Sequence, residues 1–140
     1  MLLTSLIASD TVALCGLTRR RLNTEGRAPR SFWRDRVRLT ALWNHGAAFG
    51  LPIPKPVLTV GAAAGMLGLL VHPKASRLGA GLVIGGGLSN WAERMAQGKV
   101  YDYVQFPKAP GKLKKYVYNL ADFAIFFGLL TMLFHPRKDK

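Results

Sequence analysis

Two aspartates, Asp102 and Asp122, lie on either side of one polar loop between two apolar segments of this 140-residue chain. A carboxylate at the edge of a membrane segment costs free energy to bury, so it usually has a function. Two carboxylates on the same side of a bilayer could share one proton and activate a water molecule. The leading hypothesis from these residues is therefore an intramembrane aspartyl protease.

Each carboxylate has a structural interpretation as well as a catalytic one. It could be an interfacial group that binds a nearby Arg, Lys or Asn, and for Asp102 alone the two interpretations are equally good. Asp122 is harder to explain structurally because it stands within an apolar run. Peptide hydrolysis would need one ionised and one protonated carboxyl, which like charges close together in a low-dielectric site favour.

Four apolar stretches of the sequence could hold the helices that position these aspartates. A helix needs about 17–25 mostly apolar residues to span a bilayer. Charged residues are nearly absent from residues 1–17, 56–72, 78–95 and 117–134 and are crowded between them. We therefore predict an all-α integral membrane protein with four transmembrane helices, forming one membrane-embedded peptidase domain over residues 1–140.

The segments between these stretches predict little regular structure. Arg36–Trp43 alternates polar and apolar residues for part of its length and contains β-branched and aromatic residues, which predicts a small extended element outside the hydrocarbon. Pro107, Pro110 and Gly111 predict an irregular loop around the first aspartate.

Small and aromatic residues have expected packing and interfacial roles. Gly61 and Gly65, like Gly81 and Gly85, have the spacing that lets membrane helices pack closely. The run Gly85–Gly87 could also let a substrate backbone approach the nearby polar residues. An interfacial aromatic belt is the preferred interpretation for Trp43, Trp91, Tyr101, Tyr103 and Tyr116.

The formal net charge of +13 indicates an anionic partner. Because the basic residues flank apolar stretches and no nucleic-acid module is recognisable, we expect anionic membrane lipids and no nucleic acid. Cys15 is the only cysteine, so no internal disulfide can form. The histidines are scattered and no cluster has metal-ligand spacing, so no metal site is predicted. The sequence does not indicate an oligomeric state.

Four short motifs resemble those of the lipoprotein signal peptidase family, also called signal peptidase II. The family carries Asn-x-Gly-Ala-Ala-Phe, Gly-Gly-x-x-Gly-Asn-x-x-Asp-Arg, Gly-x-Val-x-Asp and Asn-x-Ala-Asp. Their order and spacing match over roughly residues 40–130. In this chain the motifs are Asn44–Phe49, Gly85–Arg94, Gly98–Asp102 and Asn119–Asp122.

The resemblance implies a four-helix aspartic endopeptidase of the bacterial plasma (inner) membrane, with several spans and its active site toward the extracytoplasmic face. Its substrates would be lipidated prolipoproteins, from which it removes the signal peptide after a diacylglyceryl group has been attached. No metal or organic cofactor is implied. Asp102 and Asp122 match the catalytic pair, and the matching supporting or substrate-binding residues are Asn44, Asn90, Arg94 and Asn119.

Three positions depart from the family pattern. Glu93 replaces an aspartate before the arginine, Ser89 replaces a glycine, and Leu14 replaces the lysine four residues after Asp10. We include Glu93 among the supporting residues and expect it to act through its neighbour Arg94. The alternative to a peptidase is a catalytically inactive family member that binds lipoproteins or lipids, which Glu93 and Leu14 favour slightly and the intact aspartates disfavour.

The distribution of Lys and Arg conflicts with the topology that the resemblance implies. Eight basic residues lie in Thr18–His45 and six in Glu93–Tyr116. The positive-inside rule would place these loops, and the aspartates, in the cytoplasm. We follow the resemblance, because four motifs outweigh a charge count and the excess positive charge could bind anionic lipid on the outer surface.

Overall fold

The computed structural model describes residues 1–46, 53–71 and 76–135. Residues 47–49 of the first motif lie outside these ranges. The helices are α1 (Leu2–Arg21), α2 (Lys55–Val71), α3 (Arg77–Gln97) and α4 (Leu120–Leu133), and they overlap the four apolar stretches. The strands are β1 (Arg30–Phe32), β2 (Val37–Asn44), β3 (Val100–Gln105) and β4 (Val117–Tyr118), with a 3₁₀ helix at Gly111–Lys115.

The strands form one antiparallel sheet in the order β1-β2-β3-β4. In its register Leu42 pairs with Asp102 and Asn44 with Val100. The sheet is larger than the single extended element that the sequence predicts. The loop after α3 is not irregular throughout, because its first six residues form β3, whose first four are fully buried. A strand buried on both faces lacks the polar–apolar alternation that reveals a strand in sequence.

Capping residues determine where α3 and α4 begin. The Ser76 hydroxyl accepts a hydrogen bond from the Gly79 amide at 3.2 Å and caps α3. The fourth apolar stretch is predicted to start at residue 117, but its first two residues pair with β3 and α4 begins only after Asn119. Asn119 and Asp122 form a capping box, in which each side chain accepts a hydrogen bond from the other's backbone amide. This motif fixes Asp122 in the first turn of α4.

Helix α3 packs closely between α1 and α4, and its glycines make this possible. A Cβ added at Gly85 would lie 2.7 Å from the Ala8 carbonyl oxygen of α1. One added at Gly86 would lie 2.6 Å from the Ala121 carbonyl oxygen of α4. The packing role predicted for the glycines of the third stretch is therefore confirmed.

The same role predicted for Gly61 and Gly65 of α2 is wrong among the described residues. A Cβ added at either position would meet no atom within 4 Å. Helix α2 instead contacts the helical core through the larger side chains of Met66, Leu69 and Leu70. The spacing of glycines does not predict which face of a helix packs against a neighbour. In α2 the packed face is the one that carries Met66, Leu69 and Leu70.

By length and composition, one described helix, Leu2–Arg21, satisfies the criteria for a bilayer span. Pro56–Val71 and Leu120–Leu133 are apolar but shorter. The structure thus shows four helices with a small sheet, while the number of spans stays a prediction. Large apolar side chains are exposed on every helix, among them Leu6, Leu14, Val60, Leu67, Leu78, Phe126 and Leu129.

Candidate active site

Asn119 joins the two predicted catalytic aspartates. Its side-chain amide nitrogen donates to an Asp102 carboxylate oxygen at 2.9 Å. Its backbone amide donates to Asp122 Oδ2 at 2.9 Å, and its side-chain oxygen accepts from the Asp122 backbone amide at 3.0 Å. Asn119, which caps α4, thereby holds Asp102 of β3 beside Asp122 of α4.

Two further asparagines complete a network of amides around the pair. Asn90 of α3 donates to Asp122 Oδ1 at 3.1 Å and accepts from Asn119 at 3.0 Å. Asn44, at the end of β2, hydrogen-bonds to Asp102 with its side chain. Strand pairing explains this contact, because the register places Asn44 close to Asp102 across β2 and β3. The structure thus brings together five of the residues predicted from the motifs.

Burial raises the pKa of Asp102 to about 7, and the neighbouring charge of Asp122 adds to the rise. The hydrogen bond from Asn44 and the positive charge of Arg94 oppose it. Among the described residues, neither aspartate has a cationic partner within 4 Å. Asp102 is therefore a carboxyl that can hold or release a proton near neutral pH.

Arg94 lies near the pair but does not form an ion pair with it. Its guanidinium donates to the Gly46 carbonyl oxygen through Nη2 at 3.0 Å and Nε at 3.3 Å. Among the described residues, Arg94 forms no ion pair with Glu93 or Asp102. Arg94 instead ties α3 to the segment that follows β2, and its charge reaches Asp102 only through space.

The expectation that Glu93 acts through Arg94 is wrong. The Glu93 carboxylate pairs with Arg19 of α1 at 2.7 Å and accepts a hydrogen bond from the Tyr101 backbone amide at 3.0 Å. Consecutive residues on a helix point about 100° apart, so Glu93 and Arg94 diverge. Glu93 therefore holds the start of β3, one residue before Asp102, and stands outside the amide network.

The structure also reveals positioning residues that the sequence does not indicate. Arg19 appears in sequence as one of three basic residues after the first apolar stretch, and no local signal distinguishes it. Tyr101 and Tyr103 are each 2 % exposed, so the interfacial belt predicted for them is wrong. The Tyr103 hydroxyl oxygen accepts from the Leu120 amide at 3.0 Å, and that of Tyr101 accepts from the Thr24 amide at 3.0 Å.

A cavity of about 650 Å³ opens beside the two aspartates. Asp102 and Asp122 lie in its wall together with Asn44, Asn90 and Arg94. The rest of the lining is mainly apolar and includes Phe106 of the loop and Phe123, Ile125, Phe126 and Leu129 of α4. A mainly apolar cavity with two carboxyls in its wall can hold an apolar chain and present one polar bond to a reacting water.

Comparisons with known proteins agree with this arrangement. Residues 3–136 match the profile of the family described as signal peptidase (SPase) II. The chain is 32 % identical over 108 residues to a lipoprotein signal peptidase of Nitrobacter hamburgensis, covering 69 % of this chain and 66 % of that one. It is 37 % identical over 109 residues to that of Chlorobium luteolum, covering 67 % of this chain and 65 % of that one. The matched part thus spans just under two thirds of these relatives.

The fold has a close counterpart among solved structures. A bacterial membrane enzyme solved by the in meso method at 1.9 Å superposes with a TM-score of 0.80 over 98 % of this chain and 94 % of that one, at 19 % sequence identity. Because the family profile covers residues 3–136, nearly the whole chain, the chain belongs to the signal peptidase II family.

Proposed function

We propose that this protein is a membrane aspartic endopeptidase that removes the signal peptide from diacylglyceryl-modified bacterial prolipoproteins. The observation that carries the proposal is the pair of aspartates, held together by Asn119 and facing an apolar cavity. Membership of the family and the printed names of its relatives support the substrate class. Asp102 and Asp122 are the proposed catalytic residues, while Asn44, Asn90 and Asn119 orient them and Arg94 supplies positive charge nearby.

In the proposed reaction the pair shares one proton. Asp102, with its pKa of about 7, carries it, and Asp122 is the ionised partner whose oxygens Asn90 and Asn119 orient. A water oxygen attacks the scissile carbonyl carbon, its proton passes to Asp122, and Asp102 gives its proton to the carbonyl oxygen. The tetrahedral intermediate collapses when Asp122 protonates the leaving nitrogen and Asp102 recovers a proton from a hydroxyl of the intermediate.

The cavity and the outer surface of the helices support a membrane location. The apolar wall formed by Phe123, Phe126 and Leu129 suits the apolar segment of a signal peptide or the acyl chains of the modified cysteine. Exposed apolar side chains on all four helices would be costly in water and favourable in lipid. We place the four helices in the bacterial plasma membrane, anionic lipids at the basic loops, and the sheet and active site at the extracytoplasmic face.

The alternative of an inactive binding protein loses its main structural support. It rests on the departures at positions 93 and 14. Glu93 nevertheless has a cation partner, because Arg19, five residues after Leu14 on α1, reaches its longer side chain. Glu93 is therefore paired in a partly buried site, and the two aspartates have their amide partners.

Cleavage of a defined precursor by the purified chain tests the proposal. We expect detergent-solubilised protein to cut a diacylglyceryl-modified prolipoprotein once, immediately before the modified cysteine, as mass spectrometry of both products would show. The matched control is the same precursor without the lipid, which should be cut much more slowly. Absence of cleavage by folded protein, with binding of the lipidated precursor retained, would favour the inactive alternative.

A separate experiment tests the orientation. A cysteine introduced at the exposed Lys108, in a Cys15→Ser background, should react with a membrane-impermeant thiol reagent in intact cells. Labelling only after lysis would place the active site in the cytoplasm, as the count of basic residues suggests, and would contradict the proposed topology.

A further inference from the structure

The turn between β1 and β2 has an unusual backbone. Three consecutive non-glycine residues, Trp33, Arg34 and Asp35, adopt positive φ angles of 50°, 56° and 64°. A positive φ angle costs free energy at each non-glycine residue, so it is found only where neighbouring contacts stabilise it. The Asp35 carboxylate provides those contacts, because it accepts from the Ser31 hydroxyl at 2.6 Å and from Arg38 at 2.7 and 3.2 Å.

This rigid turn presents an apolar tip within a ring of positive charge. Trp33 is 78 % exposed and Phe32 is 41 % exposed. Arg30, Arg34 and Arg36 are exposed around them, and the guanidinium of Arg30 lies 5.8 Å from the centre of the Phe32 ring. The one acidic side chain of the turn is already paired with Arg38. Exposed tryptophan beside arginines is typical of surfaces that meet lipid headgroups.

The sheet register shows at which end of the sheet this tip lies. Phe32 pairs with Val37, the next residue Arg38 pairs with Gln105, and Gln105 pairs with Val117. The turn thus lies at the same end of the sheet as Val117, three residues before α4 begins.

We propose that the hairpin Arg30–Arg38 is a membrane-surface anchor, in which Trp33 and Phe32 enter the headgroup region and the three arginines bind the phosphates of anionic lipids. The bilayer is the occupant that the exposed aromatic side chains and the positive charge around them both fit. Because β2 continues from this hairpin to Asn44, the anchor would hold the sheet, and Asp102 with it, at a set height on the membrane. The inference rests on the proposed membrane location of the helices and not on hydrolysis.

Fluorescence of Trp33 in lipid discs tests the anchor. Its contribution is the difference between the full-length chain and a Trp33→Phe variant, measured in phosphatidylcholine discs with and without phosphatidylglycerol. We expect lipids brominated near the headgroup to quench this difference signal, more strongly with phosphatidylglycerol present, and aqueous acrylamide to quench it weakly. The double variant Arg34→Gln/Arg36→Gln should lose most of the increase caused by phosphatidylglycerol.

A charge-matched control separates a specific site from general attraction. Lys112→Gln/Lys114→Gln removes the same charge from the 3₁₀ helix and should leave the quenching of Trp33 unchanged. Full acrylamide quenching without quenching by brominated lipid would overturn the anchor, and so would protection that appears only when a prolipoprotein is added. The readout does not need turnover, so lipid quenching in a protein that cleaves nothing would count against the proposed peptidase alone.

Discussion

Glu93 and Asp102 are buried carboxylates nine residues apart, and their surroundings differ in kind. Glu93 is 6 % exposed and faces the guanidinium of Arg19 at 2.7 Å. Asp102 is 3 % exposed and faces side-chain amides, with a second carboxylate in place of a cation. The charge of Glu93 is compensated by an ion pair between α3 and α1, whereas Asp102 has no cation partner among the described residues and can bind a proton.

This difference separates a positioning role from a chemical one. A buried ion pair with a backbone hydrogen bond holds elements in place, and Glu93 connects α1 and α3 to the first residues of β3. Two carboxyls that share amide donors favour a state with one proton between them. By burial alone Glu93 resembles the aspartates, but its ion pair with Arg19 distinguishes it from them.

The largest expected effect separates the two kinds of carboxylate by activity. Asp102→Asn and Asp122→Asn should each lower prolipoprotein cleavage at least about 1,000-fold, because each removes a proton donor or acceptor of the reaction. Glu93→Gln keeps the shape and should retain measurable turnover. Initial rates with circular dichroism as the folding control provide the test. Near wild-type turnover in either aspartate variant, or a loss in Glu93→Gln as complete as theirs, would remove the distinction.

A smaller effect is expected at Asn119, which orients both aspartates and caps α4. Asn119→Ser keeps a good helix cap but loses the amide that reaches Asp102, so cleavage should fall about 100-fold from misplacement of the pair. Asn119→Ala should lose in addition about 1 kcal/mol of stability with the cap. Equal activity in wild type and Asn119→Ser would show that the Asn119–Asp102 contact has no role in turnover.

The ion pair should be visible mainly in stability. Arg19→Met leaves the Glu93 carboxylate buried without a cation and should destabilise the protein by about 1–3 kcal/mol, less than a fully buried pair because the Arg19 side chain is 35 % exposed. Adding Glu93→Gln should recover part of the loss, since no unpaired charge then remains. Arg20→Met, which removes a neighbouring charge, is the control. Additive losses in the double variant would show that the two side chains are not coupled.

A further effect is expected in the dependence of stability on pH. The pKa of Asp102 is about 7 in the folded protein and near 3.8 when unfolded, so the folded state binds the extra proton between these values. Stability should therefore fall as pH rises from about 4 through 7. Thermal unfolding of Asp102→Asn should lose this contribution, while Glu93→Gln should keep it. An identical decline in wild type and Asp102→Asn would assign it to other groups.

The sequence predicts the apolar helices and the aspartate pair because both have local signals. Hydropathy marks the helices, and Asp122 is conspicuous as a charge within an apolar run. The partner of Glu93 could not be predicted, since Arg19 is 74 residues away in sequence and is one of three consecutive arginines. The burial of Tyr101 and Tyr103 was also hidden, because an aromatic residue near a helix end fits a membrane interface as well as a core. Strand β3, fully buried over its first four residues, lacks the alternation that marks a half-exposed strand.

The pKa of about 7 means that Asp102 holds a proton up to near-neutral pH. Infrared spectroscopy detects this proton directly, because a protonated carboxyl has a C=O stretching band that a carboxylate lacks. Difference spectra of wild type minus Asp102→Asn, recorded across a pH titration, isolate the band of Asp102. We expect a carboxyl band that disappears with a midpoint near pH 7 and that persists in Glu93→Gln. A band that disappears near pH 4, as for an ordinary aspartate, or that Glu93→Gln removes, would contradict it.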